Sequence, residues 1–186
     1  MRKIADYIVQ FHLKDSSLAR KIVSLSCGAM FFLLILPALF AVIYLAIKEI
    51  YFFGLNRGVE WIVAVLSLIF GLAMLIWTTV FQWKIGKGTP APNVPTQKLI
   101  VSGPYRLCRN PIELGAIFYY LGVGTVFFGI MAGIVFFLLG LMIGSSYHKF
   151  VEEKELELRF GNEYTKYKET TPFLFPTFSN RNKYGK

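Results

Sequence analysis

The chain has 186 residues, 55% of them hydrophobic, 17% aromatic and 17% charged, with a formal net charge of +9. A soluble domain of this length needs a larger polar shell than that composition supplies, so a globular cytosolic protein is excluded. On so apolar a chain, anionic lipid headgroups and the cytoplasmic excess of Lys and Arg account for the positive charge better than nucleic acid does.

Residues 1–21 form a basic N-terminal arm. Ile4, Ile8 and Phe11 recur at helical spacing against Lys3, Asp6, Gln10 and Lys14, which predicts an amphipathic helix lying on the membrane surface. From Ile22 to Ile47 no residue is charged. About 20 apolar residues cross a bilayer core. The run is too long for a signal h-region and lacks a small-residue cleavage site after it, so it reads as a span and not a leader. Val59 to Trp83, interrupted only by Glu60, gives a second span, and residues 22–83 form the N-terminal membrane pair.

Residues 84–186 begin with the loop "GKGTPAPNVPTQKLIVSGPYRLCRN", whose four prolines make it irregular but stiff, with an extended stretch expected over Thr96 to Val101. A third apolar run, Leu114 to His148, is about twice the length of one helix. It divides best at Phe128-Gly129 into a hairpin spanning 111–150. Gly129, Gly133, Gly140 and Gly144 fall on one stripe of its second helix, and Gly115 with Gly122 on its first, which predicts close helix packing. Asn110 suits an N-cap, Pro111 the first helical position, and Glu113 completes a capping-box pattern.

Beyond the hairpin, "EEKELELR" reads as a mostly solvated helix stopped by Gly161. His148, Glu152, Leu156 and Arg159 share one face of it. His148 and Glu152 come first after the apolar run, at the bilayer interface, where a partly desolvated carboxylate needs a cationic partner.

The fold class is therefore all-α: a polytopic helical membrane protein with four spans, or five if Pro37 divides the first run. Five basic residues lie in the arm, five in the loop 84–111 and eight from Lys149 onward, against only Lys48 and Arg57 on the other side. The positive-inside rule then places both termini and the polar loops on the cytoplasmic face. Cys27 and Cys108 are solitary, so neither a disulfide framework nor a metal site is expected.

"SGPYRLCRNPIELG", a hydrophobic hairpin and then "EEKELELRFGNEYTKYKETTPFLFP" resemble the isoprenylcysteine carboxyl methyltransferase family. More widely, they resemble the membrane methyltransferases that include phospholipid N-methyltransferases. The resemblance covers Gln97 to Pro176. It implies that 84–186 is the catalytic region, holding S-adenosylmethionine (S-adenosylhomocysteine as product) in a cytosolic pocket between the loop and the helix after the hairpin. It implicates Gln97, Lys98, Leu99 and Ile100 as a strip along the cofactor, and Tyr105 as the cofactor tyrosine. Asn110, Pro111, Ile112 and Glu113 match the helix-start segment, and Glu152 the position that holds the cofactor's ammonium. Arg106, Arg109 and His148 would steer the acceptor's charge. The family often has an arginine where this sequence has His148, and a histidine where it has Asn110.

The acceptor so implied is the carboxylate of a lipophilic molecule, such as a prenylated cysteine at a protein's C-terminus, reached from the bilayer. An amine-headgroup phospholipid is the nearest alternative and requires a base, for which Glu113, Glu152 and His148 are candidates. Membrane sterol reductases, which use NADPH, share a similar R-x-P hairpin but are longer. A non-catalytic lipid-binding protein is the remaining alternative. Neither nucleic acid nor a metal is expected as a partner.

Overall fold

In the computed structural model, residues 17–48, 54–91 and 93–176 are described. The surface helix expected in the arm lies almost wholly outside them. The described residues form helices α1 (Leu18–Ile47), α2 (Arg57–Lys84), α3 (Pro111–Phe128), α4 (Ile130–Phe160) and the short α5 (Asn162–Thr170), with no strand. The first four are long and apolar enough to cross a membrane. Their outer faces expose large apolar side chains such as Ile22, Leu34, Ile62, Ile69, Leu138 and Met142. In water that surface would be unstable; against lipid tails it is the expected one. The protein is an integral membrane protein with four spans among its described residues.

Pro37 does not divide α1. It removes the N–H that would bond the carbonyl of Leu33 four residues earlier. The helix accommodates this by widening over Phe31–Ile35, where the Leu36 N–H bonds the Phe31 carbonyl. The Tyr119 hydroxyl of α3 donates to the Leu33 oxygen at 2.9 Å. A partner on a neighbouring helix thus satisfies a carbonyl that lipid cannot.

The hairpin turns at Gly129, whose φ of +89° lies in the left-handed region that glycine tolerates. Glu60 of α2 accepts the Ile130 N–H at 3.1 Å, so the one acidic residue in the second apolar run caps the start of α4. The α3 helix packs along α2 on one side and α4 on the other. A Cβ at Gly71 would lie 2.6 Å from the Tyr119 nitrogen, and one at Gly115 3.0 Å from the Gly71 oxygen, so the α2 and α3 backbones meet at these positions. Gly133 packs against Leu121 and Thr125, and Gly140 against Tyr120, so the α4 stripe faces α3 as expected. Phe40, Tyr120 and Phe136 fill the core between α1, α3 and α4, with ring centroids 5.3 and 5.7 Å apart around Phe40.

Candidate functional site

At the end of the bundle opposite the hairpin turn, a cavity of about 460 Å³ lies between α1, the 85–110 loop and the extended end of α4. Two bonds within the loop and one to α1 build its loop wall. The Gln97 N–H donates to the Gly86 oxygen at 2.5 Å and the Thr89 N–H to the Val94 oxygen at 2.8 Å, and Ser24 of α1 donates to Asn93 at 2.6 Å. The expected extended stretch at Thr96 to Val101 forms no strand; these bonds hold it as an irregular wall. The "GPYR" segment is a short 3-10 turn seated on Phe81, with Gly103 at φ +61°. Gln82 donates to the Tyr105 hydroxyl at 2.8 Å, and the Tyr167 hydroxyl donates to the Tyr105 carbonyl at 2.7 Å. Burial, with the Glu152 charge added to it, pushes the Tyr105 hydroxyl far above its usual range. It therefore acts as a neutral hydrogen-bonding group. Burial pushes the Cys108 thiol up to about 11 in the same loop, which leaves it inert.

The start of α3 differs from the expected capping box. The Asn110 side chain makes no cap bond; it donates to the Phe173 carbonyl at 2.9 Å, and the Arg109 N–H donates to the Pro172 carbonyl, also at 2.9 Å. The chain after α5 thus returns to pin the loop, which local spacing cannot reveal. Glu113, released from capping, turns inward over Gly144. Its Oε2 lies 3.7 Å from His148 Nε2, and its Oε1 is buried without a hydrogen-bond partner. On α4 the helix widens over His148–Glu152, and the His148 Nδ1 is hydrogen-bonded to Glu152 Oε2. Such widened turns recur at functional sites. The His148 ring therefore faces a carboxylate at each nitrogen.

The expectation of a mostly solvated "EEKELELR" helix holds only for its outer face, where Lys154, Glu157 and Leu158 are exposed. Glu153 and Glu155 are buried, and the Glu155–Arg159 pair leaves only 4% and 2% of its side chains exposed. Arg159 also donates to the Thr96 carbonyl, tying α4 to the loop wall. Glu153 takes Arg109 at 2.6 Å and Lys168 at 2.9 Å. The reason is tertiary: the loop and α5 cover a helix face whose sequence looks ready for water. Gly161, at φ +50°, does end α4.

Of the residues singled out from sequence, Leu99, Ile100, Tyr105, Arg109, Ile112, Glu113, His148 and Glu152 line one cavity. Gln97, Lys98, Arg106, Asn110 and Pro111 do not. Gln97 braces the loop, donating through its side chain to the Pro95 carbonyl at 3.2 Å; Lys98 and Arg106 lie on the surface; Asn110 binds the tail. Sequence reasoning missed Glu155, Arg159, Tyr164 and Tyr167 as cavity residues. Signals were present: Arg159 shares a helical face with His148 and Glu152, and Tyr164 and Tyr167 lie in the motif that carries the family resemblance.

The cavity gathers charged side chains beside the end of α4, and Leu25, Phe32, Leu75 and Ile143 line much of the rest. Such an arrangement can hold a ligand with a charged head and a hydrophobic remainder. Searches of curated proteins and of solved structures returned no match. A family model describing phospholipid methyltransferases matches residues 59–163, from the first turn of α2 to the start of α5 and through most of the cavity's lining. The match covers more than half of the chain, and this protein belongs to the phospholipid methyltransferase family of membrane methyltransferases.

Proposed function

We propose that the protein transfers a methyl group from S-adenosylmethionine to the polar end of a lipid-tailed acceptor. The observation that carries this reading is the single cavity in which a buried acid–histidine cluster adjoins an apolar wall.

The residues present fit the cofactor. Arg109 reaches the cavity with a buried Nε that has no hydrogen-bond partner, as a ligand carboxylate would require. Glu152, with 34% of its side chain exposed, is the most open of the cluster's carboxylates and suits an ammonium. Leu99, Ile100 and Leu156 offer an apolar slot for a flat ring. When bound, S-adenosylmethionine supplies an electrophilic methyl group on a sulfonium. The chain's own part is to hold both partners in line, with the acceptor's polar end fixed at the α4 cluster and its tail along α1.

Two acceptors agree with that architecture: a carboxylate, as on a prenylated cysteine, and a phospholipid amine. With Arg109 holding the cofactor's carboxylate and Arg159 paired with Glu155, an acceptor carboxylate would have to compete for either cation. Glu113, by contrast, presents a bare buried oxygen suited to a cation. The buried charge therefore favours the amine, in keeping with the family.

The test is methyl transfer from labelled S-adenosylmethionine by purified protein in detergent, with a short-chain primary-amine phospholipid and a farnesylated cysteine as acceptors. Label on the amine lipid is the expected result. Calorimetry with S-adenosylhomocysteine, and with NADPH for comparison, should show one-site binding of the former alone. Binding of NADPH alone would replace this reading with reductase chemistry, and binding of neither by folded protein would leave a lipid-binding role.

A further inference from the structure

We propose that Glu113 is the general base of the transfer, accepting the proton of an ammonium headgroup, and that His148 and Glu152 are positioning residues for its carboxylate. This rests on the amine reading above and gives Glu113 a role different from the cofactor contact implied by sequence resemblance.

Only 8% of the Glu113 side chain is exposed, although it sits in the first turn of a helix at the mouth of the bundle. Of the carboxylates lining the cavity, it is the one with a fully buried oxygen that no donor reaches among the described residues. Leaving such an oxygen without a donor is costly, the more so for a charged group, so the position is built for a ligand donor. Its other oxygen faces His148, which Glu152 holds from the far side, so the carboxylate cannot swing freely. Gly144 supplies the space: any Cβ there would occupy the position of the Glu113 carboxylate.

Several other titratable groups face the cavity around Glu113. From α4 come Tyr147, His148, Glu152, Glu155 and Arg159; from the loop, Tyr105 and Arg109. Tyr164 and Tyr167 come from α5 and Tyr120 from α3 itself, while α1 and α2 line the cavity with no titratable side chain. Glu155 is committed to Arg159, and the Tyr105 hydroxyl accepts from Gln82. The Tyr164 and Tyr167 hydroxyls are pushed far up by burial.

The chemistry balances without another reactant. An ammonium nitrogen has no lone pair, so it must first give a proton to the Glu113 carboxylate. Its freed pair then forms the C–N bond as the C–S bond of the sulfonium methyl donor breaks, with the C–S bonding pair remaining on sulfur. The proton on Glu113 passes to water when the methylated product leaves. A carboxylate acceptor would need none of this.

The experiment uses full-length protein in detergent, wild type and Glu113→Gln, with Glu113→Asp as a second variant and thermal melting as the folding control. Without methyl donor, Glu113→Gln should weaken calorimetric binding of a short-chain primary-amine lipid about ten-fold or more. Affinity for S-adenosylhomocysteine should be unchanged. In turnover on that lipid, Glu113→Gln should lower kcat about 10²–10⁴-fold. The loss should shrink as pH is raised past the amine's own pKa, and Glu113→Asp should recover part of it. Wild-type kcat in Glu113→Gln, or a large loss of S-adenosylhomocysteine affinity, would overturn the assignment. If wild-type protein methylates a farnesylated cysteine but no amine lipid, the amine reading itself has failed and the base role falls with it.

Discussion

Glycine 144 shows how much of the site depends on one absent methyl group. The other stripe glycines admit helices or ordinary side chains, Gly133 against Leu121 and Thr125 and Gly140 against Tyr120. Gly144 instead admits the Glu113 carboxylate, so two residues 31 positions apart in sequence make one feature of the cavity floor. A Gly144→Ala substitution should leave the bundle folded, because the neighbour that must give way is the far end of a flexible side chain. Displacing that carboxylate by about an ångström should cost on the order of 10²-fold in turnover, with little change in S-adenosylhomocysteine affinity. A turnover assay beside calorimetry checks both halves. From sequence, Gly144 was legible as a packing residue and Glu113 as a capping residue. Neither pattern indicated that they meet, because Asn110 bonds the tail instead of the helix start, a contact 63 positions distant.

At the scale of elements, the four spans could be read directly from uncharged runs, and the hairpin turn from Gly129, because lipid imposes a length and an apolarity that few sequences meet by accident. The end of α4 was not legible for the opposite reason. "EEKELELR" has the alternation of charge that a helix in water shows, and only the loop wall and α5 turn its inner face into buried ion pairs. This difference is measurable. Arg159→Met leaves Glu155 buried without its partner, and breaking a buried pair costs about 3–5 kcal/mol. It also removes the tie to the Thr96 carbonyl, so the loop wall should loosen and cofactor affinity should fall. Changing both partners, Glu155→Leu with Arg159→Met, removes the orphaned charge and should be closer to wild type in melting temperature than Arg159→Met alone. For a surface pair on a solvated helix, as the sequence suggested, neither variant would shift the melt by more than about 0.5 kcal/mol.

The whole sequence carries an asymmetry of charge that bears on how the protein sits in a membrane. Of the 20 Lys and Arg residues, 18 fall in the arm, the 84–111 loop and the region from Lys149 onward, while Lys48 and Arg57 stand at the other end with the hairpin turn. The cavity opens at the basic end, where α2 closes with Lys84 and α4 runs on past its apolar portion. On the positive-inside rule we propose that this end faces the cytoplasm, the source of the proposed methyl donor, with the acceptor's tail entering from the leaflet on the same side. Single cysteines test this on a Cys27→Ser background. Cys108 can remain, since it is fully buried and its thiol, pushed up to about 11, stays protonated at neutral pH. A membrane-impermeant maleimide should label Lys87→Cys in inside-out vesicles and not in intact cells, and Arg57→Cys in intact cells and not in inside-out vesicles. The reverse pattern would put the cavity on the side that lacks the methyl donor. Labelling of both positions from one side would mean that α2 does not cross the membrane, and the four-span architecture would fall with it.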